Sequence, residues 1–379
     1  MSGPECQPRR TSVPWGLLGM IGLMLAIESS LEASRDSTTV ANAYYQFVRQ
    51  ACREASRAEV LCFGDSLVKV DVLPRVIESR LKQRAYNLAI AGSLPPASFY
   101  AFRRALAAGA RPEAVLVDFK PSLLPVDPRA TVPLLGELLS FRDGLDFYRS
   151  TRDANALASL MLVEQLASYR CRGPIRANVM AALLGNPSPT RALVEAHWRN
   201  WAANKGAHIF PKSPDAARVA EFWDEKGCVE AGWRCDPANA AYIVKFLRLA
   251  AAHRARVYWL IPPIHPRVHA KREQLGLNAR FTKFVRAVQA RFPEVVVIDG
   301  RSSGYDSALF VDATHLDRQG SMAFSAAVAD AMGTGRGGAS SGSRWVDLPA
   351  YSDRPIDVPV EDLAQSQIAL GGGDRGPRR

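Results

Sequence analysis

Three residues of this chain have the types and the order that nucleophilic catalysis at a serine requires. Ser66 follows the apolar run 60–63 in the sequence Phe-Gly-Asp-Ser-Leu, and Asp312 and His315 lie three residues apart near the other end. A serine hydroxyl is a weak nucleophile until an imidazole removes its proton. That imidazole needs an acceptor on its second nitrogen. The set predicts Ser66 as nucleophile, His315 as general base and Asp312 as the residue that orients His315.

Each part of this set also has an ordinary structural interpretation. Gly-Asp-Ser is a common tripeptide at turns and helix caps, and Asp-x-x-His often forms a surface pair. Ser66-x-x-Lys69 matches the SxxK of penicillin-binding enzymes, but neither an SDN nor a KTG motif accompanies it. The catalytic hypothesis therefore depends on whether the fold brings two distant segments together.

Five short apolar runs predict the strands of a parallel sheet. They are the segments 60–63, 86–90, 114–119, 257–261 and 295–298. Runs that are apolar on both faces are typical of central strands. Amphipathic segments at 73–81, 99–108 and 279–291 lie between them, and parallel neighbours need such crossovers. We therefore expect an α/β fold of three α/β/α layers around a sheet of about five strands, with Ser66 at the carboxyl end of the first strand.

Between residues of about 125 and 240 the alternation of strands and helices stops. The region has no clear strand pattern, and its aromatic and basic residues cluster around Trp201, Trp223 and Trp233. We predict a helical insertion within the domain 34–332. Two roles for its tryptophans stay open: a platform on which sugar rings stack, and the aromatic core of a helical cap.

The two ends of the chain have compositions of their own. After Met332 the sequence is rich in Gly, Ser, Pro and Asp, which predicts a disordered tail over 333–379. At the other end, Arg9 and Arg10 precede the uncharged apolar run 15–27. We expect residues 1–33 to be a signal peptide or a retained signal anchor, which places the domain outside the cytoplasm as a membrane-anchored or a secreted, periplasmic protein.

Composition excludes several classes of protein. The chain of 379 residues is 47% hydrophobic, which rules out wholesale disorder, and only one segment approaches the length of a membrane span. Its net charge of +11 comes from scattered residues with no run of five Lys or Arg. A nucleic-acid footprint would be clustered on one element, so we expect no nucleic-acid partner.

The spacing of the cysteines does not predict a metal site. The chain has six cysteines but no CxxC motif and no second Cys/His pair with ligand spacing. Cys228 and Cys235 are close enough in sequence to close a short disulfide loop in an oxidising compartment, and the sequence leaves their pairing open.

Together these segments resemble the SGNH, or GDSL-type, hydrolase superfamily. Its first block is similar to FGDSL at 63–67, its second to YNLAIAGS at 86–93, and its last to VDATHLDRQG at 311–320. The resemblance covers about 57–125 and 241–332. It implies a flavodoxin-like fold, no metal or organic cofactor, and an oxyanion hole formed by the backbone N–H groups of Ser66 and Gly92.

One block departs from the family pattern. The family's third block ends its strand in GxND, whose Asn donates to the oxyanion, whereas this strand runs into Lys120-Pro121-Ser122. Aligning the start of the strand puts Ser122 at the Asn position, so Ser122 is a candidate donor, as is Lys120 at the Gly position. Removing one oxyanion donor typically costs on the order of 10²–10³ in rate.

The resemblance implies an exported serine ester hydrolase or an O-acyl (acetyl) transferase. The substrate class is a small ester or an acylated carbohydrate of the cell envelope, such as an acetylated polysaccharide. The missing Asn favours an alternative, a catalytically silent module of the same fold that binds glycans or assembles with partners. The scattered charge alone supports a third, an unrelated structural or nucleic-acid-associated protein.

Overall fold

Six parallel strands form one open sheet at the centre of the structure. They are β1 (Val60–Phe63), β2 (Ala85–Asn87), β3 (Ala114–Val117), β4 (Arg256–Ile261), β5 (Val296–Asp299) and β6 (Trp345–Asp347). Their order is β2-β1-β3-β4-β5-β6, so the chain starts inside the sheet and builds outward from β1 on both sides. The switch point lies between β1 and β3, which is where open parallel sheets bind ligands.

The computed structural model describes residues 15–33, 40–170, 172–185, 190–212, 232–334, 344–353 and 356–372. Its helices before β4 are α1 (Trp15–Ala33), α2 (Val40–Ala55), α3 (Ser66–Asp71), α4 (Pro74–Leu81), α5 (Pro95–Ala107), α6 (Val132–Leu135), α7 (Phe141–Thr151), α8 (Ala154–Gln165), α9 (Ala167–Arg170), α10 (Arg172–Leu183), α11 (Thr190–Ala203) and α12 (Pro237–Ala252). After β4 come α13 (Pro266–Gln274), α14 (Leu277–Arg291), α15 (Arg318–Thr334) and α16 (Leu363–Gly372).

Alternate residues of each strand enter two separate cores. Leu61 and Phe63 of β1 pack in a cluster with α2, α5, α12 and α14, whereas Val60 and Cys62 pack with α4 and α15 on the other face. This is the period of two that a strand covered on both faces requires. The three-layer α/β/α fold expected from the sequence is confirmed, with six strands where about five were expected.

Helices fill the described part of the chain between β3 and β4. They share the core of the sheet, because Trp201 of α11 is fully buried against Phe47 and Tyr86. Trp233 is also buried and donates from Nε1 to the carbonyl of Pro121 at 2.7 Å. These two side chains therefore belong to the aromatic core and not to a sugar-stacking platform.

The prediction of a disordered tail over 333–379 is wrong for the described segments 344–353 and 356–372. Strand β6 pairs in parallel with β5, and Trp345 is buried under the guanidinium of Arg286. The composition of the tail did not predict strand β6, because the strand has only three residues and forms by pairing with the open edge of β5.

Two features expected from the sequence, the N-terminal signal segment and the Cys228–Cys235 pair, fall partly outside the described residues. Arg9, Arg10 and Cys228 lie there, and Cys235 is a free thiol. The apolar N-terminal run forms α1, most of whose large side chains are exposed. Among the described helices, none has both the length and the apolar character to cross a membrane.

Two asparagines, Asn200 of α11 and Asn204 directly after it, hold the tail against the domain. Asn204 donates to the carbonyl of Glu361 at 2.7 Å and accepts from its N–H at 3.1 Å, and Asn200 donates to the same carbonyl at 2.7 Å. Both side chains are buried, so their hydrogen bonds have no water to replace them.

We predict that Asn204→Leu lowers the free energy of unfolding by about 1–3 kcal/mol, because the N–H of Glu361 loses its acceptor and the carbonyl of Glu361 keeps only Asn200 as a donor. Urea titration measures the change, and limited proteolysis should cut the tail faster. Ile368→Ser is the control, since Ile368 lies on the same tail and is 74% exposed. Equal stability of both variants would contradict the role given to Asn204.

Candidate active site

Ser66 is the first residue of α3, directly after the turn that ends β1. Asp65 caps this helix by accepting a hydrogen bond from the N–H of Leu67 at 2.7 Å. The N–H of a first helical residue has no acceptor within its own helix. Ser66 is half-buried at the carboxyl end of β1, and its role as nucleophile stays a prediction.

Gly64 lets the end of β3 approach this turn. Its φ is +133°, and a Cβ at this position would collide with the carboxylate of Asp118. Asp118 is buried directly after β3 and accepts from the N–H of Asp65 at 3.1 Å. Burial, and then the negative charge of Asp65, raise the pKa of Asp118 well above its ordinary value. The residue after β3 therefore supports the turn before Ser66 through the carboxyl group of Asp118. In the SGNH pattern the polar residue that this segment contributes is an Asn a few positions later in the sequence.

The turn after β2 lies against the same glycine. The carbonyl of Gly64 accepts from the N–H of Ile90 at 3.0 Å and from the hydroxyl of Ser93 at 3.1 Å. Gly92 occupies the third position of the Ile90–Ser93 turn with φ +70°, and it is exposed. The N–H at this position is not used by the turn's own hydrogen bond. Gly92 thus lies on a turn bonded to the Ser66 loop.

Ser122 and Lys120 lie in the turn that follows β3. Ser122 is half-buried, and Lys120 is almost wholly buried, with its charge lowering the pKa values of Asp118 and Asp71. The hydrogen bond from Nε1 of Trp233 to the carbonyl of Pro121 holds this turn in place. Lys120 therefore balances the carboxylates of the site, and the role of Ser122 as an oxyanion donor stays a prediction.

Asp312 and His315 form the predicted pair. The Nδ1 atom of His315 lies 2.7 Å from Oδ2 of Asp312, whose other oxygen accepts from the N–H groups of Thr314 at 2.7 Å and His315 at 2.9 Å. Burial alone would raise the pKa of Asp312, but these hydrogen bonds and the charge of His315 outweigh burial and hold the pKa at about 2. Asp312 is therefore ionised at neutral pH and directs Nε2 of His315 away from itself.

The Nε2 atom of His315 is buried and has no hydrogen-bond partner in the described part of the chain. In this conformation it does not bond to the hydroxyl of Ser66. Catalytic hydrogen bonds are often long or misaligned before substrate binds. The nitrogen that a general base would use is therefore not engaged elsewhere.

A buried carboxyl group connects the loop of His315 to the helix of Ser66. Asp71, the last residue of α3, accepts at Oδ1 from the N–H of Leu316 at 2.9 Å. Its own carbonyl accepts from the hydroxyl of Ser325 on α15 at 3.1 Å. Burial raises the pKa of Asp71 well above its ordinary value, and the charges of Asp312 and Asp65 add to this. The two predicted catalytic segments thus meet through a hydrogen bond between residues 245 positions apart.

Sequence reasoning missed Asp71 and Asp118. Each stands directly after an apolar stretch, in SLVKVD and in AVLVD, and an acid at the end of a buried strand was the available signal for Asp118. His265 has a supporting role, because it caps α13 through Nδ1 and donates its N–H to the carbonyl of Ala313 at 3.3 Å. It therefore steadies the Asp312–His315 loop from the side of β4.

Two further interpretations receive no support. The Nζ atom of Lys69 lies over the rings of Tyr44 and Trp201, at 5.3 and 5.5 Å from their centroids, with no hydrogen bond to any described group. It therefore does not act on Ser66 in the manner of an SxxK lysine. Within the described ranges, no cluster of three or more His, Cys, Asp or Glu side chains has a geometry that would hold a metal ion.

Gly64 and Gly92 give a matched pair of substitutions. We predict that Gly92→Ala costs about 1–2 kcal/mol of unfolding free energy, since its φ is left-handed but a Cβ would meet open space. Gly64→Ala should cost a further ~1–3 kcal/mol, because it also displaces Asp118. Thermal and urea unfolding measure both, and a smaller loss for Gly64→Ala than for Gly92→Ala would refute the close contact with β3.

Two variants of Asp71 separate its acceptor from its charge. We predict that Asp71→Leu is less stable at neutral pH than Asp71→Asn by about 1–3 kcal/mol, because only the amide keeps an acceptor for the N–H of Leu316. Urea unfolding of the two proteins measures this difference. Equal stability would show that the bond to Leu316 contributes nothing.

The contribution of Asp71 to stability changes with pH in one direction only. The folded-state pKa of Asp71 is raised, so its contribution to stability is complete below the unfolded pKa near 4 and is lost as pH rises towards the folded value. Asp71→Asn does not lose stability in this way, because its amide does not ionise. We therefore predict that its stability relative to the native chain increases between pH 4 and 8, and a difference that is constant with pH would contradict the prediction.

A comparison with models of known protein families and with curated proteins finds no match to this chain. The resemblance to the SGNH superfamily therefore rests on the three blocks quoted above.

Proposed function

We propose that this protein is an SGNH-like serine ester hydrolase or O-acyl transferase. Ser66 is the nucleophile, His315 the general base and then acid, and Asp312 the group that orients His315. The N–H groups of Ser66 and Gly92 hold the oxyanion, and Ser122 supplies a third donor. The chemistry needs neither a metal nor an organic cofactor.

One arrangement carries this proposal. The Asp312–His315 pair at 2.7 Å leaves Nε2 of the imidazole without a partner among the described groups, and the next residue is bonded to the helix that begins at Ser66. A surface Asp–His pair would not need a buried carboxyl group to hold its loop against one particular helix. Ser66 itself follows β1, which borders the switch point of the sheet, and this position favours a role in chemistry.

The reaction proceeds in two halves. As the hydroxyl oxygen of Ser66 attacks the acyl carbonyl, its proton passes to Nε2 of His315, and the negative charge moves to the carbonyl oxygen, where the N–H donors stabilise it. The bond to the alcohol then breaks, and His315 returns the proton to the departing oxygen. Water or a sugar hydroxyl next attacks the acyl-serine and loses its proton to His315. The bond from the acyl carbon to the Ser66 oxygen then breaks, and His315 returns the proton to that oxygen, which restores the free serine.

The identity of the acceptor decides between hydrolase and transferase. Water gives an esterase, and a carbohydrate hydroxyl gives an O-acetyltransferase. An acylated carbohydrate of the cell envelope is the substrate that fits an exported enzyme, and α1 is the segment proposed to contact the membrane. Trp198 is the one tryptophan of the described insertion that is partly exposed, at 36%, and so available to a sugar ring.

A silent module of the same fold is the second candidate. Two observations favour it: the strand β3 is followed by Asp118 and Lys120 without the family's Asn, and Nε2 of His315 is buried and not bonded to Ser66. A protein of this kind would retain the surface at the carboxyl end of the sheet for binding. It would not turn over an ester.

We predict that the native chain hydrolyses p-nitrophenyl acetate and that Ser66→Ala lowers kcat/KM by about 10³-fold or more. His315→Ala should act similarly, and Asp312→Asn should lower kcat with little change in KM, because it disturbs the tautomer and not the binding. Ser56→Ala is the matched control, since Ser56 lies in the turn between α2 and the amino end of β1, whereas Ser66 follows the carboxyl end of that strand. The assay measures initial rates at neutral pH.

A fluorophosphonate probe followed by peptide mapping gives an independent readout. The enzyme proposal expects covalent attachment at Ser66 in the native chain and in Ser56→Ala, with strongly reduced labelling in His315→Ala. Equal hydrolysis by the native chain and Ser66→Ala, together with no label at Ser66, would leave the silent module as the function.

A further inference from the structure

We propose that the insertion contacts a lipid surface through exposed apolar residues of α8 and α10, alongside α1. We call these residues the insertion surface; they are Met161, Leu162, Val179, Met180, Leu183 and Leu184. This inference concerns where the domain lies and does not depend on chemistry at Ser66. It extends the proposed membrane contact of α1 to a second part of the chain.

The insertion surface is more apolar than a water-facing helix requires. Leu183 is 74% exposed and Leu184 is 69% exposed at the end of α10, and the four other side chains are each between 41 and 51% exposed. Single exposed apolar residues are ordinary, but several neighbours on one helix, such as Val179, Met180 and Leu183 of α10, mark a binding site. Val179 and Leu183 are four residues apart, so they lie on one face of α10.

The helix α1 is bound to this part of the fold. Glu28 accepts a hydrogen bond from the N–H of Ser168 at 3.0 Å, and a second one from the Ser168 hydroxyl, which joins α1 to α9. Helix α9 lies in sequence directly between α8 and α10. The apolar residues of α1 and the insertion surface therefore belong to neighbouring elements.

The distribution of apolar residues on α1 favours lipid over protein as the occupant. Its sequence from Trp15 to Ile27 is apolar on every side, and its large side chains are between 44 and 78% exposed. A protein partner would cover one face of a helix, whereas acyl chains surround it. The hydroxyls of Ser29 and Ser30 donate to carbonyls of their own helix at 2.8 Å, which satisfies them without water.

Charge next to the insertion surface complements an anionic headgroup. Arg172 and Arg176 are exposed and precede Val179 and Leu183 on the same face of α10. Residues 154–184 contain three arginines and one acidic residue, Glu164. At a membrane interface the exposed apolar side chains would enter the acyl chains and the two arginines would meet the lipid phosphates. A second copy meeting this surface would present the same positive charges to it.

A fluorescent probe at one residue tests the inference in the full chain. Leu183→Cys and Ile368→Cys are labelled with an environment-sensitive fluorophore, and the native chain labelled in the same way gives the background from its own cysteines. Leu183 and Ile368 are both 74% exposed, so a label at either site has the same exposure to water when no vesicles are present. The proteins are mixed with vesicles of phosphatidylcholine and phosphatidylglycerol in equal amounts, and flotation is measured in parallel.

We expect the emission at position 183 to shift to shorter wavelength on vesicles, with no shift at 368. Vesicles of phosphatidylcholine alone should need about tenfold more lipid for the same shift, because two arginines lose their anionic partners. Flotation without a shift at 183 would overturn the insertion surface while leaving the contact of α1. A shift that needs no vesicles and grows with protein concentration would assign the surface to a second copy and overturn the inference. Absence of flotation would overturn both contacts, and ester hydrolysis by the same preparations reports separately on Ser66.

Discussion

The hydrogen bond from the N–H of Leu316 to the carboxyl group of Asp71 is the constraint on which the candidate site depends. It joins the loop that carries Asp312 and His315 to the helix that begins at Ser66. A buried acceptor of this kind is effective because no water competes for it, and it is costly to remove for the same reason. The bond fixes the backbone of Leu316, the residue after His315. The short loop from Asp312 to His315 then limits where the imidazole can lie.

Carboxyl groups have three different tasks around this site. Asp312 stays ionised because His315 and two N–H groups donate to it, whereas burial raises the pKa values of Asp71 and Asp118. Asp65 caps the helix of Ser66. Local environment, and not residue type, therefore separates the ionised carboxylate beside His315 from the buried carboxyl groups that hold backbone in place.

The helices of the insertion and the tail complete the layers of the sheet. Trp201 and Trp233 fill its core, and Asn200 and Asn204 hold the segment after β6. The insertion thus supports the scaffold through its inner residues and presents its apolar outer residues, at α8 and α10, to the surroundings.

The sequence by itself determined the strands β1 to β5, the layered α/β fold and the Asp312–His315 pair. Those features follow from short-range patterns: apolar runs of strand length, amphipathic spacing, and a loop too short to separate its acid from its base. Only the tertiary structure decided the rest. The three-residue strand β6 forms because β5 offers an open edge, and Asp71 and Asp118 act on backbone groups far away in sequence. Contacts of this kind depend on the packing of distant segments, which no local pattern of residues encodes.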